Sequence, residues 1–114
     1  MPPVPALTGN SLLRDSARGH AEDMASNGYF DHTGLNGSQP SDRMEAAGYS
    51  WSSAGENIAA GNSTAEETMQ QWLNSTGHCL NIMDPGYVHL GVGYAFTDSD
   101  DLNHYWVQNF GSPR

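Results

Sequence analysis

The chain has 114 residues, which is the length of one ordinary domain. Thirteen acidic residues stand against four arginines and no lysine, so the formal net charge at pH 7 is -9. A surface of this charge has no basic footprint for phosphates, which argues against binding to nucleic acid or anionic lipid. The sequence has no apolar run long enough to span a bilayer, and its first ten residues lack the pattern of a signal peptide.

The first part of the chain is predicted to be an extended arm followed by two helices. Residues 1–10 contain three prolines and are expected to form an arm or a short edge strand around Val4 to Thr8. Apolar residues then recur at helical spacing, with Ser11 as the expected N-cap and Gly28 as the stop. A loop over residues 29–40 follows, and SDRMEAAG predicts a second, short helix.

A carboxylate lies among small apolar residues in the next segment. The stretch WSSAGENIAAG, residues 51–61, places Glu56 close to Ile58. An exposed loop does not need this isoleucine, and a buried segment disfavours an unpaired carboxylate. We expect irregular backbone or a single helical turn here.

Two more helices are expected after this segment. Ser63 with Glu66, or equally Thr64 with Glu67, fits a capping box and predicts a helix that runs to about residue 75. A further short helical turn over residues 78–83 is expected to end before the next proline.

The last third of the chain has the pattern of a hairpin. Alternation from Val88 to Tyr94 predicts one strand, and HYWVQNF, residues 104–110, predicts another. The turn DSDD separates them, so the pair is expected to be antiparallel. Helices precede the hairpin, which predicts an α+β fold.

No local motif identifies the chemistry of the chain. The sequence has no His-Glu-x-x-His, Cys-x-x-Cys, Gly-x-Ser-x-Gly or phosphate-loop pattern. Each of the five histidines, taken alone, is more typical of a surface or hydrogen-bonded histidine than of a metal ligand. The single cysteine, Cys79, excludes an intrachain disulfide.

Several segments in order resemble one known family. They are ARGHAEDMASNGYFDHTG (17–34), DRMEAAGYSW (42–51), GENIAAG (55–61), QQWLNSTGHCLNIMDPGYVHLGVGYA (70–95) and HYWVQNFG (104–111). The chain resembles the CAP superfamily, or SCP domain, which includes cysteine-rich secretory proteins, venom allergens, plant pathogenesis-related proteins and bacterial secreted proteins. The spacing Trp-x-x-Ser-x-x-His-x-x-Asn-Ile at 72–82 is similar to the bacterial members.

The resemblance implies the fold and the location of the protein. It implies a single domain over residues 1–114, built as an α-β-α sandwich around a small antiparallel sheet, and a secreted or extracellular protein. Family members usually begin with one more helix, carrying an Asn-x-x-Arg pattern, that has no counterpart in this sequence. We therefore expect apolar surface on the face that this helix covers, and a possible homodimer through it.

The resemblance also implies a cleft lined by two histidines and two acidic residues. His32 matches the first histidine, Glu56 the first acid and His78 the second histidine, whereas Ser75 occupies the position of the second acid. This predicts that His32 and His78 bind Zn²⁺ or another divalent cation weakly, with Glu56 beside them as a candidate base. The alternative is that Glu56 only fixes the backbone of its own loop.

Three functions fit these expectations. The first is a non-enzymatic binding domain whose cleft takes a divalent cation or a small ligand. The second is a metal-assisted hydrolase, in which Glu56 is a third ligand or the base; Ser75 in place of an acid weakens a two-carboxylate mechanism. The third is a structural or interaction module with a vestigial cleft.

Overall fold

A computed structural model describes residues 5–114 of the chain. The elements in order are β1 (Thr8–Gly9), α1 (Ser11–Asn27), α2 (Pro40–Ala46), β2 (Trp51–Ala60), α3 (Ala65–Leu73), α4 (Thr76–Ile82), β3 (His89–Phe96) and β4 (His104–Pro113). No helix within residues 5–114 is both long and apolar enough to cross a membrane.

The strands form one sheet in the order β1-β3-β4-β2. Strand β4 is central and pairs antiparallel with both β2 and β3. Strand β1 pairs with β3 in parallel over two residues, Thr8 with His89 and Gly9 with Leu90. The expected α+β sandwich and the C-terminal hairpin are confirmed. Of the expected N-terminal strand, Val4 lies outside the described residues.

The N-cap of helix α1 lies one residue earlier than predicted. The side chain of Asn10, not that of Ser11, accepts hydrogen bonds from the amides of Leu12 and Leu13 at 3.0 and 3.1 Å. The backbone amide of Asn10 also donates to Leu90 O at 3.0 Å, so one residue ends β1 and begins α1. At the other end Gly28 adopts the left-handed conformation, with φ 67°, that favours glycine at a helix C-terminus.

Helix α1 covers one face of the sheet. Its fully buried side chains Ala17, Ala21 and Met24 pack with Ile58 of β2 and Val107 of β4. The small residues of the helix allow its backbone to come close to the sheet, and burial of apolar area stabilises the contact.

Glycines of β3 make this close approach possible. A Cβ atom at Gly91 would overlap the backbone at Arg14, and one at Gly93 would overlap the backbone at Arg18. The Gly-Val-Gly sequence of β3 therefore has a packing role, because any side chain at either glycine would push α1 away from the sheet.

The opposite face of the sheet is covered unevenly. Helix α3 packs over β2 and β4, where Trp72 contacts Ala59 and Trp106 and donates through Nε1 to Ile58 O at 3.1 Å. On the same face of β3, by contrast, Val92 and Phe96 are 41% and 58% exposed. This uneven cover leaves an apolar strip along β3.

The prediction for residues 51–61 was wrong, because most of this segment is strand β2. Its hydropathy does not alternate, since the neighbouring polar residues Glu56 and Asn57 are both buried, on opposite faces. Each has polar partners inside the protein, and these contacts replace the water that a strand residue of this kind would otherwise contact.

Candidate functional site

Glu56 is the centre of a buried polar cluster at the outer strand β2. Its side chain is 1% exposed. Oε1 lies 2.9 Å from His32 Nδ1, and Arg43 Nη2 donates to Oε2 at 3.0 Å and to Oε1 at 3.2 Å. Asn109 of β4 donates through Nδ2 to Oε2 at 2.9 Å. Both carboxylate oxygens are therefore hydrogen-bonded.

These contacts determine the charge state of Glu56. Burial alone would raise the pKa of the carboxyl, because it disfavours the charged form. The hydrogen bond from His32, the charge of Arg43 and the hydrogen bond from Asn109 outweigh burial, and the pKa is lowered. Glu56 is a carboxylate at neutral pH.

His32 lies in the loop between α1 and α2, which is held from two sides. Arg43 Nη2 donates to the carbonyl of His32 at 2.8 Å. On the other side the buried His20 donates through Nε2 to the carbonyl of Asp31 at 2.8 Å. Burial lowers the pKa of His20, so this ring is neutral and its Nε2 carries the proton. The loop backbone beside His32 is thus fixed before any ligand binds.

The orientation of the His32 ring follows from its contact with Glu56. Nδ1 donates to the carboxylate, so Nε2 is directed away from it, and the side chain is 49% exposed. The hydrogen bond to Glu56 raises the pKa of His32, against the opposing effect of burial. A carboxylate that fixes one ring nitrogen is the arrangement that prepares the other nitrogen for a ligand.

His78 has an analogous arrangement with a weaker partner. It lies in α4, and its Nδ1 is 2.8 Å from Oγ of Ser75, the residue before that helix. The hydroxyl at the position of the family's second acid therefore contacts the second histidine directly. It fixes the ring without supplying a negative charge.

Asparagines attach α4 to β2. Asn57 Nδ2 donates to the carbonyl of His78 at 3.1 Å and to Gln108 Oε1 at 3.1 Å. Asn81 of α4 donates to Asn57 Oδ1 at 2.9 Å and to the carbonyl of Glu56 at 3.2 Å. The segment that carries His78 is therefore held next to the strand that carries Glu56.

The predicted site residues thus form two direct pairs. His32 contacts Glu56, and His78 contacts Ser75; the pairs are connected through Asn57, which follows Glu56 in the chain. Within residues 5–114, no group of three or more His, Cys, Asp and Glu side chains is placed to hold a metal ion.

The sequence argument missed two residues that contact the Glu56 carboxylate: Arg43, which supplies a positive charge, and Asn109, which donates a hydrogen bond. The sequence could have indicated Arg43, because a buried carboxylate needs a cation and the chain has only four arginines from which to choose. Asn109 had no such signal, since its role depends on the pairing of Glu56 with Asn109 across β2 and β4.

A large cavity lies on the other side of Arg43. It has a volume of about 670 Å³ and lies between α1 and α2, where His20, Asp23 and Asp42 contribute to its lining. Arg43 is the residue shared between this cavity and the Glu56 cluster. A sizeable opening is therefore adjacent to the cluster.

Comparison with known proteins identifies the family. The family model described as the cysteine-rich secretory protein family, CAP, matches residues 2–110. The protein YkwD of Bacillus subtilis (strain 168) is 43% identical over 101 residues, which are 89% of this chain and 37% of YkwD. The chain belongs to the CAP family. The resemblance found in the sequence is thereby confirmed, including its bacterial type.

Solved structures of other proteins share the fold of this CAP domain. An extracellular protein with an SCP domain from Bacillus anthracis str. Ames has a TM-score of 0.84 at 35% identity; the match covers 95% of this chain and 34% of that one. An outer surface protein of Borrelia burgdorferi has a TM-score of 0.86 at 23% identity, with 97% of this chain and 80% of that one covered. The chain thus spans about a third of the length of YkwD and of the B. anthracis protein.

Proposed function

We propose that this CAP domain is a secreted, extracellular binding module. In this proposal His32 and His78 bind a divalent cation such as Zn²⁺, or a small ligand, in a cleft at the edge of β2. The family membership and the description of the B. anthracis protein as extracellular support the location. The ligand itself rests on the geometry of the two histidines.

The observation that carries the proposal is that both imidazoles are fixed through Nδ1. His32 is fixed by Glu56, and His78 by Ser75, which leaves Nε2 of each ring for a ligand. Metal-bound histidines in proteins have a hydrogen-bond partner of this kind on the nitrogen that does not bind the metal. The acidic surface of the chain, with net charge -9, raises the local concentration of cations.

Glu56 is better suited to positioning than to catalysis. Its two oxygens already accept hydrogen bonds from His32, Arg43 and Asn109, and its pKa is lowered. A general base works best with a pKa near the working pH, so a stabilised carboxylate is a weak base. This favours binding over hydrolysis as the function of the cleft.

Titration calorimetry with zinc tests the proposal. We expect weak binding near neutral pH, because two imidazoles and water do not make a structural site. His32→Ala or His78→Ala should weaken binding by at least about tenfold, the size of effect that loss of a ligand or of its partner produces. The melting temperature of the metal-free protein should change little.

His104→Ala is the matched control. His104 is also partly buried, and its Nδ1 is 2.7 Å from a hydroxyl, that of Tyr94, so it differs from His78 mainly in location. Zinc binding should survive this change. Absence of binding to the wild type, or equal loss in all three variants, would reject the metal site.

We propose in addition that the isolated domain associates weakly with itself through the apolar strip on β3. The exposed side chains of Val92 and Phe96 provide the driving force. The net charge of -9 on each copy opposes association, so we expect a weak homodimer and not a permanent one.

A further inference from the structure

The cavity between α1 and α2 is a separate feature from the histidine pairs of the candidate site. It has a volume of about 670 Å³, and its lining residues all lie between positions 19 and 46. One continuous stretch of the chain, from the second half of α1 to the end of α2, therefore forms it. Helix α1 contributes His20 and Asp23 to the walls, and α2 contributes Asp42 and Arg43.

Two buried polar groups of the lining have hydrogen-bonding capacity that the protein does not use. His20 is 1% exposed. Its Nε2 donates to the carbonyl of Asp31, whereas Nδ1, the acceptor nitrogen of this tautomer, has no partner within residues 5–114. Nε of Arg43 is buried and also lacks a partner in that part of the chain. Buried polar groups in proteins are normally satisfied, so these two indicate that a group from outside the chain contacts them.

Other side chains of the lining add both a donor and an acceptor. Asn36 uses Oδ1 for the amide of Ser38, so its Nδ2 is available to donate. Asp42 uses Oδ2 for the amide of Gln39, so its Oδ1 is available to accept. The large apolar side chain of Leu35 also lines the cavity and is 66% exposed. A ligand that matches this lining needs groups that donate and accept at neighbouring positions, and a small apolar face.

The charge of the lining favours a cation. Neither Asp23 nor Asp42 forms an ion pair within the described part of the chain. Arg43 carries a positive charge, but the Glu56 carboxylate offsets it at distances of 3.0 and 3.2 Å. The buried ring of His20 is neutral. Two carboxylates without a cation therefore remain, and they attract a positively charged group.

We propose that this cavity binds an amino sugar, which is a ring that carries both hydroxyl groups and a protonated amine. The amine would lie between Asp23 and Asp42. A hydroxyl group both donates and accepts, so hydroxyls of one ring can donate to Nδ1 of His20 and accept from Nε of Arg43. The apolar C–H face of the ring would contact Leu35.

The same features argue against other classes of small ligand. An anion would be repelled by the two carboxylates. A simple polyamine would pair with the carboxylates but could not accept a hydrogen bond from Nε of Arg43. A peptide strand binds at a sheet edge or through several apolar anchors, and this cavity lies between two helices. An amino sugar supplies the positive charge and the hydroxyl groups together.

Titration calorimetry with three probes tests the proposal. The measurements are made at mildly acidic pH, where the amines are protonated, and with EDTA present, so that no metal takes part. The first probe is the trimer of glucosamine. The second is the trimer of N-acetylglucosamine, which lacks the charges, and the third is spermidine, which lacks the hydroxyl groups. We expect the first to bind and the other two to bind at least about tenfold more weakly, because each lacks one kind of contact.

Two matched variants of α2 test the role of charge at the cavity. Asp42→Asn and Glu45→Gln each remove one negative charge, and Asp42→Asn keeps a side-chain oxygen for the amide of Gln39. Asp42→Asn should weaken binding of the glucosamine trimer about tenfold, the effect of losing one charged hydrogen-bond partner. Glu45→Gln should leave binding unchanged, because Glu45 is exposed and does not line the cavity.

The ring nitrogens of His20 report directly on contact with the ligand. In isotope-labelled protein, the glucosamine trimer should shift the magnetic resonance signal of His20 Nδ1, because a hydroxyl group of the ligand donates to it. The control is His104, whose Nδ1 already lies 2.7 Å from the hydroxyl of Tyr94. The signal of His104 Nδ1 should stay unchanged.

Several results would overturn the proposal. Absence of binding by the glucosamine trimer would reject it outright, and equal affinity for the two trimers would show that charge has no part in recognition. Equal effects of Asp42→Asn and Glu45→Gln would show general attraction by the acidic surface. Equally tight binding of spermidine would show that the ligand is a simple amine. An unchanged His20 signal with the trimer bound would place the sugar elsewhere. The zinc titration has no bearing on any of these outcomes.

Discussion

Strands β2 and β3 both pair with the central strand β4, but they differ in which side chains they bury. Strand β2 buries a carboxylate, Glu56, and an amide, Asn57, each with polar partners. Strand β3 has its bulky apolar side chains Val92 and Phe96 in solvent and its glycines under α1. Hydropathy alone would predict that the polar side chains of β2 are exposed and that the apolar side chains of β3 are buried. The comparison teaches that partners across the sheet, and the space available, decide which residues are buried.

The largest effect is expected for the glycines of β3. Gly93→Ala places a methyl group into the backbone of α1, so the helix must move, and we expect unfolding to become easier by about 3 kcal/mol. The neighbouring change Val92→Ser, on the exposed side, should stay within about 0.5 kcal/mol. Urea denaturation measures both, and similar losses for the two variants would refute the difference between the two sides of β3.

The next largest effect concerns the charge in β2. Arg43→Met leaves Glu56 buried without its cation, so we expect a loss of about 2 kcal/mol at pH 7. The additional change Glu56→Gln should recover part of the lost stability, because it removes the uncompensated charge. If the double variant is less stable than Arg43→Met, the role assigned to Arg43 is wrong.

The contact between Glu56 and Arg43 also predicts that the stability of the fold depends on pH. The folded-state pKa of Glu56 lies below its ordinary value of 4.5, so its ionised form stabilises the fold above that pH. This stabilisation is lost as pH falls through the folded-state pKa. The difference in stability between wild type and Arg43→Met should therefore narrow below about pH 4.5, measured by thermal unfolding from pH 7 to pH 3.

A smaller effect with the opposite pH dependence is expected for His32. Its folded-state pKa lies above 6.5, so its contact with Glu56 stabilises the fold fully below that pH and less as pH rises through the folded-state pKa. The side chain is half exposed, and solvent weakens the contact. We expect His32→Ala to cost on the order of 0.5 kcal/mol at pH 5.5 and less at pH 9. A cost that grows with pH would contradict this.

The smallest expected effect is self-association of the isolated domain. Salt screens the repulsion between two acidic copies and leaves the apolar strip unaffected, so the weak dimer should strengthen as salt is added. Light scattering over a concentration series at low and high salt measures this, with Val92→Ser as the control. A wild type that stays monomeric at millimolar concentration and high salt would rule it out.

Much of the fold follows from local sequence patterns. The period of Leu13, Ala17 and Met24 predicts α1, and the alternation from Val88 to Tyr94 predicts β3. These segments are regular because each has one buried side and one exposed side. Strand β2 could not be found in this way, since its buried residues include Glu56 and Asn57, and its pairing with β4 is not local.

The candidate site was predictable only in part. The family resemblance predicts one cleft lined by His32, Glu56, His78 and Ser75. In the structure His32 contacts Glu56, and His78 contacts Ser75. The residues that set the charge of Glu56 depend on the tertiary fold. Arg43 reaches it from α2, whose direction relative to β2 no local pattern specifies.

The double role of Asn10 has a consequence for how the chain folds. Its side chain caps the first turn of α1, and its backbone amide fixes the register between β1 and β3 by donating to Leu90 O. The first turn of the helix and a contact between residues 80 positions apart thus depend on one residue. Closing so long a loop is slow, because its entropy must be lost before the contact forms. Stable formation of α1 is therefore expected only after the C-terminal hairpin has been synthesised. Helix α1 should then be one of the last parts of the domain to become protected from hydrogen exchange.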